Sequence, residues 1–394
     1  MSCASSPPRS SEVPSVPDIL EGKGICICAG SGGVGKTTTS AAIATGMASR
    51  GLKVCVLTID PAKRLADSLG LTELGNDAKR VDPSLIEGQG VEMEGELWAM
   101  MLDAKATFDE LVRRHADDEE TRDRVLGNRI YQQISNALAG SQEYMAMEKL
   151  FELHSEDRFD LLVLDTPPSR NALDFLDAPR RLTQFIEGKS LKVFMKPTGI
   201  GMKIAGRGAG VMFGILKRLV GFDLLADLQE FFTAFSGMVD GFQERAKRVN
   251  ELLADPGTCF LVVCGPQGEP ISEAVYFHRK LVEAKLPFGG VIVNKVHSFG
   301  DRTGDRDAEV SRELSELLGD DELAGRVAAN LADYRALSKR DAANIDHLAA
   351  EMSTRSVIRV PYLDQDVHDL AGLAEINRFL FARGEERAEL LAAG

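Results

Sequence analysis

The chain has 394 residues, enough for a large buried core and for either one big α/β domain with a helical insertion or two domains. An apolar share of 44% and a charged share of 27% are ordinary for a soluble globular protein. A formal net charge of −14 sets most of the surface against a phosphate backbone and argues against nucleic-acid binding, and no run of about 18 uncharged apolar residues offers a transmembrane segment.

Residues 1–22 are rich in Ser and Pro, lack an apolar core, and read as a disordered tail, not a signal peptide; with no secretory signal to support disulfides, the cytoplasm is the expected location. Ile25–Ala29 is a short apolar run of buried-strand character. It leads directly into Gly30-Ser31-Gly32-Gly33-Val34-Gly35-Lys36-Thr37, which completes the pattern G-x-x-x-x-G-K-[ST]. Thr38, Thr39 and Ser40 then enter Ala41–Ala44, the expected first turns of a helix. Strand before and helix after is the context this chemistry needs. Glycines let successive N–H groups curl toward phosphate oxygens, and the helix N-terminus adds partial positive charge. Lys36 then reaches the outer phosphates and the Thr37 hydroxyl can ligate Mg²⁺. The stretch predicts a nucleoside-triphosphate site.

Further strands are expected at Lys53–Ile59, Leu97–Leu102, Leu161–Leu164, Phe260–Val263, Val291–Val293 and Val357–Val360. Apolar strands alternating with helices predict an α/β fold, a doubly wound and mostly parallel sheet with ligands at the carboxyl ends of its strands. Two carboxylates fall at such ends. Asp60 follows Val54–Ile59 and Asp165 follows Leu161–Leu164. Each is suited to meet Mg²⁺ or a water near the γ-phosphate, or to cap a helix, which Asp does routinely. The apolar run before Asp165 favours the metal side, whereas the pattern leaves Asp60 open between the two.

Two helical segments, about 103–158 and 170–250, interrupt the sheet and predict an inserted helical subdomain within a domain spanning 23–381. The first is charged and amphipathic, with His115 and Asp117–Glu120 expected on a solvated face. The second contains a stretch from Gly188 to Phe222 without an acidic residue. It carries Lys189, Lys192, Lys196, Lys203, Arg207, Lys217 and Arg218 interleaved with Met195, Met202, Met212, Phe194 and Phe213. A cationic stretch rich in Met and Gly inside an acidic protein suggests a hydrophobic client groove or a membrane-touching lid; a subdomain packed on its own core is the alternative. Residues 298–352 form another helical region with a charged surface loop at Asp301–Asp307. Asp369–Phe381 carries an apolar stripe expected to pack on the sheet, and 382–394 reads as a C-terminal tail. Of six cysteines, five lie in or at the end of apolar strands and read as core, although Cys26 and Cys28 share a strand face and could hold a soft ion.

The phosphate-binding loop, Thr58-Ile59-Asp60-Pro61-Ala62-Lys63-Arg64-Leu65-Ala66-Asp67 and Asp165-Thr166-Pro167-Pro168-Ser169 together resemble the arsenite-transporting ATPase family. This deviant-Walker group of P-loop proteins includes the cytosolic ATPases that guide tail-anchored membrane proteins. Weaker echoes are Ile292-Val293-Asn294-Lys295 and Val360-Pro361-Tyr362-Leu363. The resemblance implies an ATPase using ATP and Mg²⁺, with Asp60 polarising the attacking water and Asp165 supporting Mg²⁺ through its water shell. Asn294 would contact the adenine edge, and the backbone around Pro361 would flank the base. It also implies a homodimer, or a pair with a close paralogue, that closes around ATP and forms a composite hydrophobic groove for a membrane-protein client. The alternatives are a subunit energising anion or metalloid extrusion through a membrane permease, a membrane- or DNA-positioning scaffold, and a P-loop metabolic enzyme. Ser31 stands where the family usually carries a lysine that reaches the partner's phosphates. Another cation is therefore expected, with Lys63, Arg64 and Arg170 near the two aspartates and Arg64 on the segment after Asp60 taken as the candidate; a surface ion pair is the alternative for Arg64. Arg170-Asn171 replaces the family's usual Gly-His, and no C-x-x-C occurs.

Overall fold

Long apolar runs with little alternation pair as strands buried on both faces, and the computed structural model assembles them into one sheet. It describes residues 13–60, 62–88, 92–129, 131–132, 142–166, 231, 239–299, 307–363, 367 and 369–393. The strands are β1 (Ile25–Ala29), β2 (Lys53–Thr58), β3 (Lys79–Arg80), β4 (Glu96–Met101), β5 (Leu161–Asp165), β6 (Thr258–Cys264), β7 (Phe288–Val296) and β8 (Val357–Pro361). They lie in the order β3-β4-β2-β5-β1-β6-β7-β8, and every pairing is parallel except β3 with β4. The chain starts near the middle and winds first to one side and then to the other. This is the doubly wound α/β architecture expected, with ligand positions at the carboxyl ends beside β1.

Alternation along each strand feeds two cores. Ile25, Ile27 and Ala29 of β1 join one, which is closed by helices Ala104–His115, Gln142–Ser155, Val239–Ala254 and Gly268–Ala284. Cys26 and Cys28 join the other, closed by helices Lys36–Ala48 and Leu370–Phe381 and by the N-terminal helix Val16–Leu20. The seven anticipated strands all form, within a residue or two at most ends. β7 starts earlier than read because Gly289 and Gly290 interrupt its apolar run. The two-residue β3 is exposed and polar and was not anticipated.

The described parts of the two expected tails, from residue 13 and up to residue 393, contain helices. Ser15 caps helix Val16–Leu20 in a capping box with Asp18, and Val16 and Leu20 are buried. Residues Gly384–Ala393 are helical. Arg387, only 4% exposed, donates to the carbonyls of Phe379, Ala382 and Pro14, so its guanidinium satisfies the end of helix Leu370–Phe381 and pins the N-terminal segment to it. Asp369 caps that helix, whose stripe of Leu370, Leu373, Ile376 and Leu380 is buried as read.

His115 is also corrected. Its ring packs 5.5 Å from that of Phe242 and its Nε2 is enclosed, with burial and then the nearby Arg245 and Arg114 lowering its basicity. Asp118, by contrast, is at the surface and caps helix Glu119–Gly127. The partner that draws His115 inward lies on Val239–Ala254, more than a hundred residues away. The same layer buries an ion pair that was not anticipated: Arg245 Nε donates to Glu148 Oε1 at 2.5 Å. The Gly188–Phe222 stretch, Asp301–Arg306 and Arg170-Asn171 lie outside the described residues.

Candidate active site

The turn after β1 is dictated by crowding. A Cβ on Gly30 would sit 1.9 Å from the Val263 carbonyl oxygen of β6, so only glycine lets the loop leave the sheet there. Gly35 has φ +91° and is the N-cap of helix Lys36–Ala48, a cap with no side chain to occupy the helix's first N–H groups. The first N–H groups of Lys36, Thr37 and Thr38 therefore face the loop's concave side, which is an anion-binding arrangement. Lys36 is 7% exposed and its Nζ donates to the Ser31 carbonyl at 2.7 Å. Burial lowers its pKa, opposed by the charges of Asp165 and Asp60.

Strand register brings the acid groups to the loop. Asp165, at the end of β5, is the Cα partner of Cys28 on β1 and of Thr58 on β2. Its Oδ2 accepts from Thr37 Oγ1 at 2.7 Å and from Thr58 Oγ1 at 2.9 Å. Its Oδ1 is enclosed without a partner among the described residues. Burial pushes the Asp165 carboxyl up to about 6, against the opposing pull of the two hydroxyl hydrogen bonds and of Lys36. A buried carboxylate with one orphaned oxygen, beside the P-loop threonine, is a donor set that fits a hard divalent cation such as Mg²⁺. Thr166 Oγ1 donates to the Cys28 carbonyl at 2.8 Å and ties the end of β5 to β1.

Asp60 does not cap the next helix. That helix is Arg64–Ser68, and Lys63 is its N-cap. Instead Asp60 Oδ1 accepts from the Ala62 N–H at 2.9 Å, while Arg64 Nη1 lies 3.8 Å from Asp60 Oδ2 with the Arg64 side chain 66% exposed. Arg64 thus forms the surface ion pair given as its alternative and at the same time borders the nucleotide side of the loop. Ser31 Oγ is enclosed in the loop without a partner among the described residues.

Beyond the loop a cleft of about 300 Å³ is lined by Gly35, Thr38, Arg64, Asn294, Pro361 and Tyr362, among others. Asn294 reaches it from β7. Its Nδ2 donates to the Val34 carbonyl at 2.9 Å and approaches Gly35 so closely that a Cβ there would lie 2.3 Å away. Next to it Lys295 takes φ +62° at a register shift of β7 against β8, and its N–H donates to Asn294 Oδ1. Gly30 to Thr38, Asp60, Arg64, Asp165, Asn294 and Pro361 therefore all gather at one edge of the sheet. Sequence reasoning gave no role to Thr58 or Tyr362. Thr58 lay within a motif already singled out, but its meeting with Asp165 depends on strand order.

The five described cysteines are all buried. Burial pushes the thiols of Cys55, Cys259 and Cys264 up to about 12, and the neighbouring Cys28, together with burial, raises that of Cys26. They behave as core hydrophobes.

A glycine loop leaving a central parallel strand, its lysine and threonine set against a carboxylate from the neighbouring strand, defines the P-loop nucleotide-hydrolase class. A family model described as anion-transporting ATPase matches residues 24–307, and the chain belongs to that family. It is an ATPase. Similar proteins include the ATPase get3 of Schizosaccharomyces pombe, 25% identical over 268 residues that cover 68% of this chain and 71% of the relative. The ATPase ASNA1 homolog 2 of Paramecium tetraurelia is 26% identical over 72% of this chain and 79% of its own length. A putative arsenical pump-driving ATPase 1 of Aquifex aeolicus is 28% identical over 69% of this chain and 63% of its own length. Among the described residues no helix is long and apolar enough to cross a membrane.

Proposed function

We propose that this ATPase is a Mg²⁺-dependent dimeric switch whose nucleotide cycle opens and closes a hydrophobic groove on a membrane-protein client. The observation that carries the catalytic part is the hydrogen bond of Thr37 to the buried Asp165 carboxylate at the ends of β1 and β5, with Lys36 held on the Ser31 carbonyl of the same loop and Asp60 just past the end of β2. In this reading Lys36 and the loop N–H groups hold the β- and γ-phosphates, and Thr37 with Asp165 holds the Mg²⁺, which neutralises phosphate charge when bound. Asp60, whose Oδ2 lies 3.8 Å from the exposed Arg64 guanidinium, orients the attacking water. Asn294 and Pro361 border the base. The client part rests on the Met-, Gly- and Lys-rich stretch 188–222 in an otherwise acidic chain, and on the resemblance to ATPases that guide tail-anchored proteins. Energising anion or arsenite extrusion is the second reading, favoured by the relative named as a pump-driving ATPase. The burial of every described cysteine weighs against it, for a metalloid site needs accessible soft ligands.

Asp60→Asn is the test. It keeps the turn-closing carbonyl but orients water poorly, so MgATP binding is expected to stay within a few-fold while turnover falls about 10²–10⁴-fold. Loaded with ATP, this slow variant should retain a peptide bearing one hydrophobic membrane helix. Loss of nucleotide binding together with a collapsed melting curve would make Asp60 structural, and retention of a permease alone would favour extrusion.

Arg64 is proposed as the cation that stands in for the lysine absent at Ser31, acting in its own chain or across a dimer. Arg64→Ala should lower kcat about 10³-fold or more, the scale of an arginine supplied to a phosphoryl transition state. Ser31→Lys should restore much of that loss. A silent Arg64→Ala leaves only the exposed ion pair with Asp60, worth little.

A further inference from the structure

One wall of the nucleotide cleft is an aromatic stack with a buried anchor. The Tyr362 ring is 54% exposed and lines the cleft just past Pro361, while its N–H is tied to the Val296 carbonyl at 2.9 Å. Its inner face lies on the His297 ring, with centroids 5.7 Å apart and planes 8° from parallel. His297 is not free to turn. Its Nδ1 lies 2.7 Å from Asp341 Oδ2, and its backbone N–H donates to the same oxygen at 3.1 Å. Asp341 is 0% exposed in the long helix Asp321–Glu351, whose Asn344 side chain is tied to the Pro266 carbonyl after β6. The two contacts to one carboxylate oxygen hold the ring with its Nδ1 edge toward Asp341. Tyr334 from the same helix meets the His297 ring edge-on, at 5.5 Å and 76°. A ring braced by a parallel neighbour and half exposed at a nucleotide cleft is a ready platform for a planar π-system.

We infer that Tyr362 stacks on the nucleotide base and that His297, held by buried Asp341, is a positioning residue that fixes the plane of that platform. This rests on the nucleotide-site reading above and adds to it the side chain that meets the face of the base. Stacking senses any π-face, so the platform supplies affinity for the base, whereas the phosphates are held independently at the loop.

The test compares a ligand that has a base with one that lacks it. ADP affinity by calorimetry and inhibition of ATP turnover by inorganic tripolyphosphate are measured on the full chain and on Tyr362→Ala, Tyr362→Phe, His297→Ala and the Tyr362→Ala/His297→Ala double variant. Tyr362→Ala is expected to weaken ADP about 10-fold, within the ~5- to 150-fold range of lost base–aromatic stacking, with tripolyphosphate inhibition within two-fold of wild type. ATP turnover should show KM raised with kcat unchanged. Tyr362→Phe should bind as wild type, and His297→Ala should lose about 2- to 5-fold. The double variant should be no worse than Tyr362→Ala, because His297 acts through Tyr362. Unchanged ADP affinity in Tyr362→Ala, a parallel loss for tripolyphosphate, or a double variant showing the full product of both losses would overturn the inference. Failure of the wild-type chain to bind either ligand would instead overturn the nucleotide-site reading, and this inference with it.

Discussion

Lys36→Ala is expected to reduce ATP turnover by at least about 10³-fold while the chain stays folded. The ammonium sits on the loop's own Ser31 carbonyl, within reach of any phosphate seated on the N–H groups of helix Lys36–Ala48. It is the buried cation of the loop, and burial already lowers its pKa, so its charge is poorly screened and strongly felt by an adjacent anion. Removing it takes away charge-assisted contacts that strengthen as negative charge develops on the transferring phosphoryl group. The fold loses little. Nζ has one backbone acceptor, and alanine is well suited to the first turn of a helix. Steady-state phosphate release and a thermal melt check this directly. Turnover within a few-fold of wild type would mean that Lys36 does not meet the phosphates.

What could be read from the sequence follows from whether a feature is local. Seven strands were visible because a strand buried on both faces is a continuous apolar run. The β3 pair Lys79–Arg80 was not, since two exposed polar residues carry no pattern and pair only because β4 runs beside them. The P-loop was legible for the same reason as the strands: its eight residues are contiguous and its chemistry is backbone chemistry. The contacts that complete the site were less visible. Thr58 and Asp165 are 107 positions apart, and Asn294 lies 260 positions from the Val34 carbonyl it supports. Their meeting is set by strand order, which one sequence does not display. The readings of His115 as solvated and of 382–394, which holds Arg387, as a tail failed for a different reason. A charged neighbourhood suggests solvent, but each group was drawn inward: His115 by Phe242, remote in sequence, and Arg387 by the nearby helix-end carbonyls of Phe379 and Ala382 together with the remote carbonyl of Pro14.

Asp165→Asn is expected to lower turnover about 10²-fold or more and, at neutral pH without nucleotide, to stabilise the chain. The carboxyl titrates at about 6 in the folded chain against 3.8 as an ordinary aspartate, raised chiefly by burial. A raised folded value means that the folded state holds its proton more tightly than the unfolded one. Below about pH 4 both states are protonated and the group costs nothing. Between about 4 and 6 the unfolded chain ionises first, and above about 6 the full cost of a buried, half-satisfied carboxylate opposes folding. A shift of this size corresponds to roughly 3 kcal/mol, of which a relaxing site would show on the order of 1–3. Asparagine removes the charge while Thr37 and Thr58 keep a carbonyl to donate to, so the melting temperature should rise by a few degrees at pH 7.5 and the gain should vanish near pH 4. The same carboxylate is the group proposed to support Mg²⁺, and its loss should lower MgATP turnover about 10²-fold or more. Stability gained and activity lost at one residue is the signature of a charge retained for function at a cost to folding. A melting temperature lowered at pH 7.5 would show that the Asp165 carboxylate serves the fold as a hydrogen-bond acceptor, and a gain independent of pH would show that its charge is of no consequence to stability.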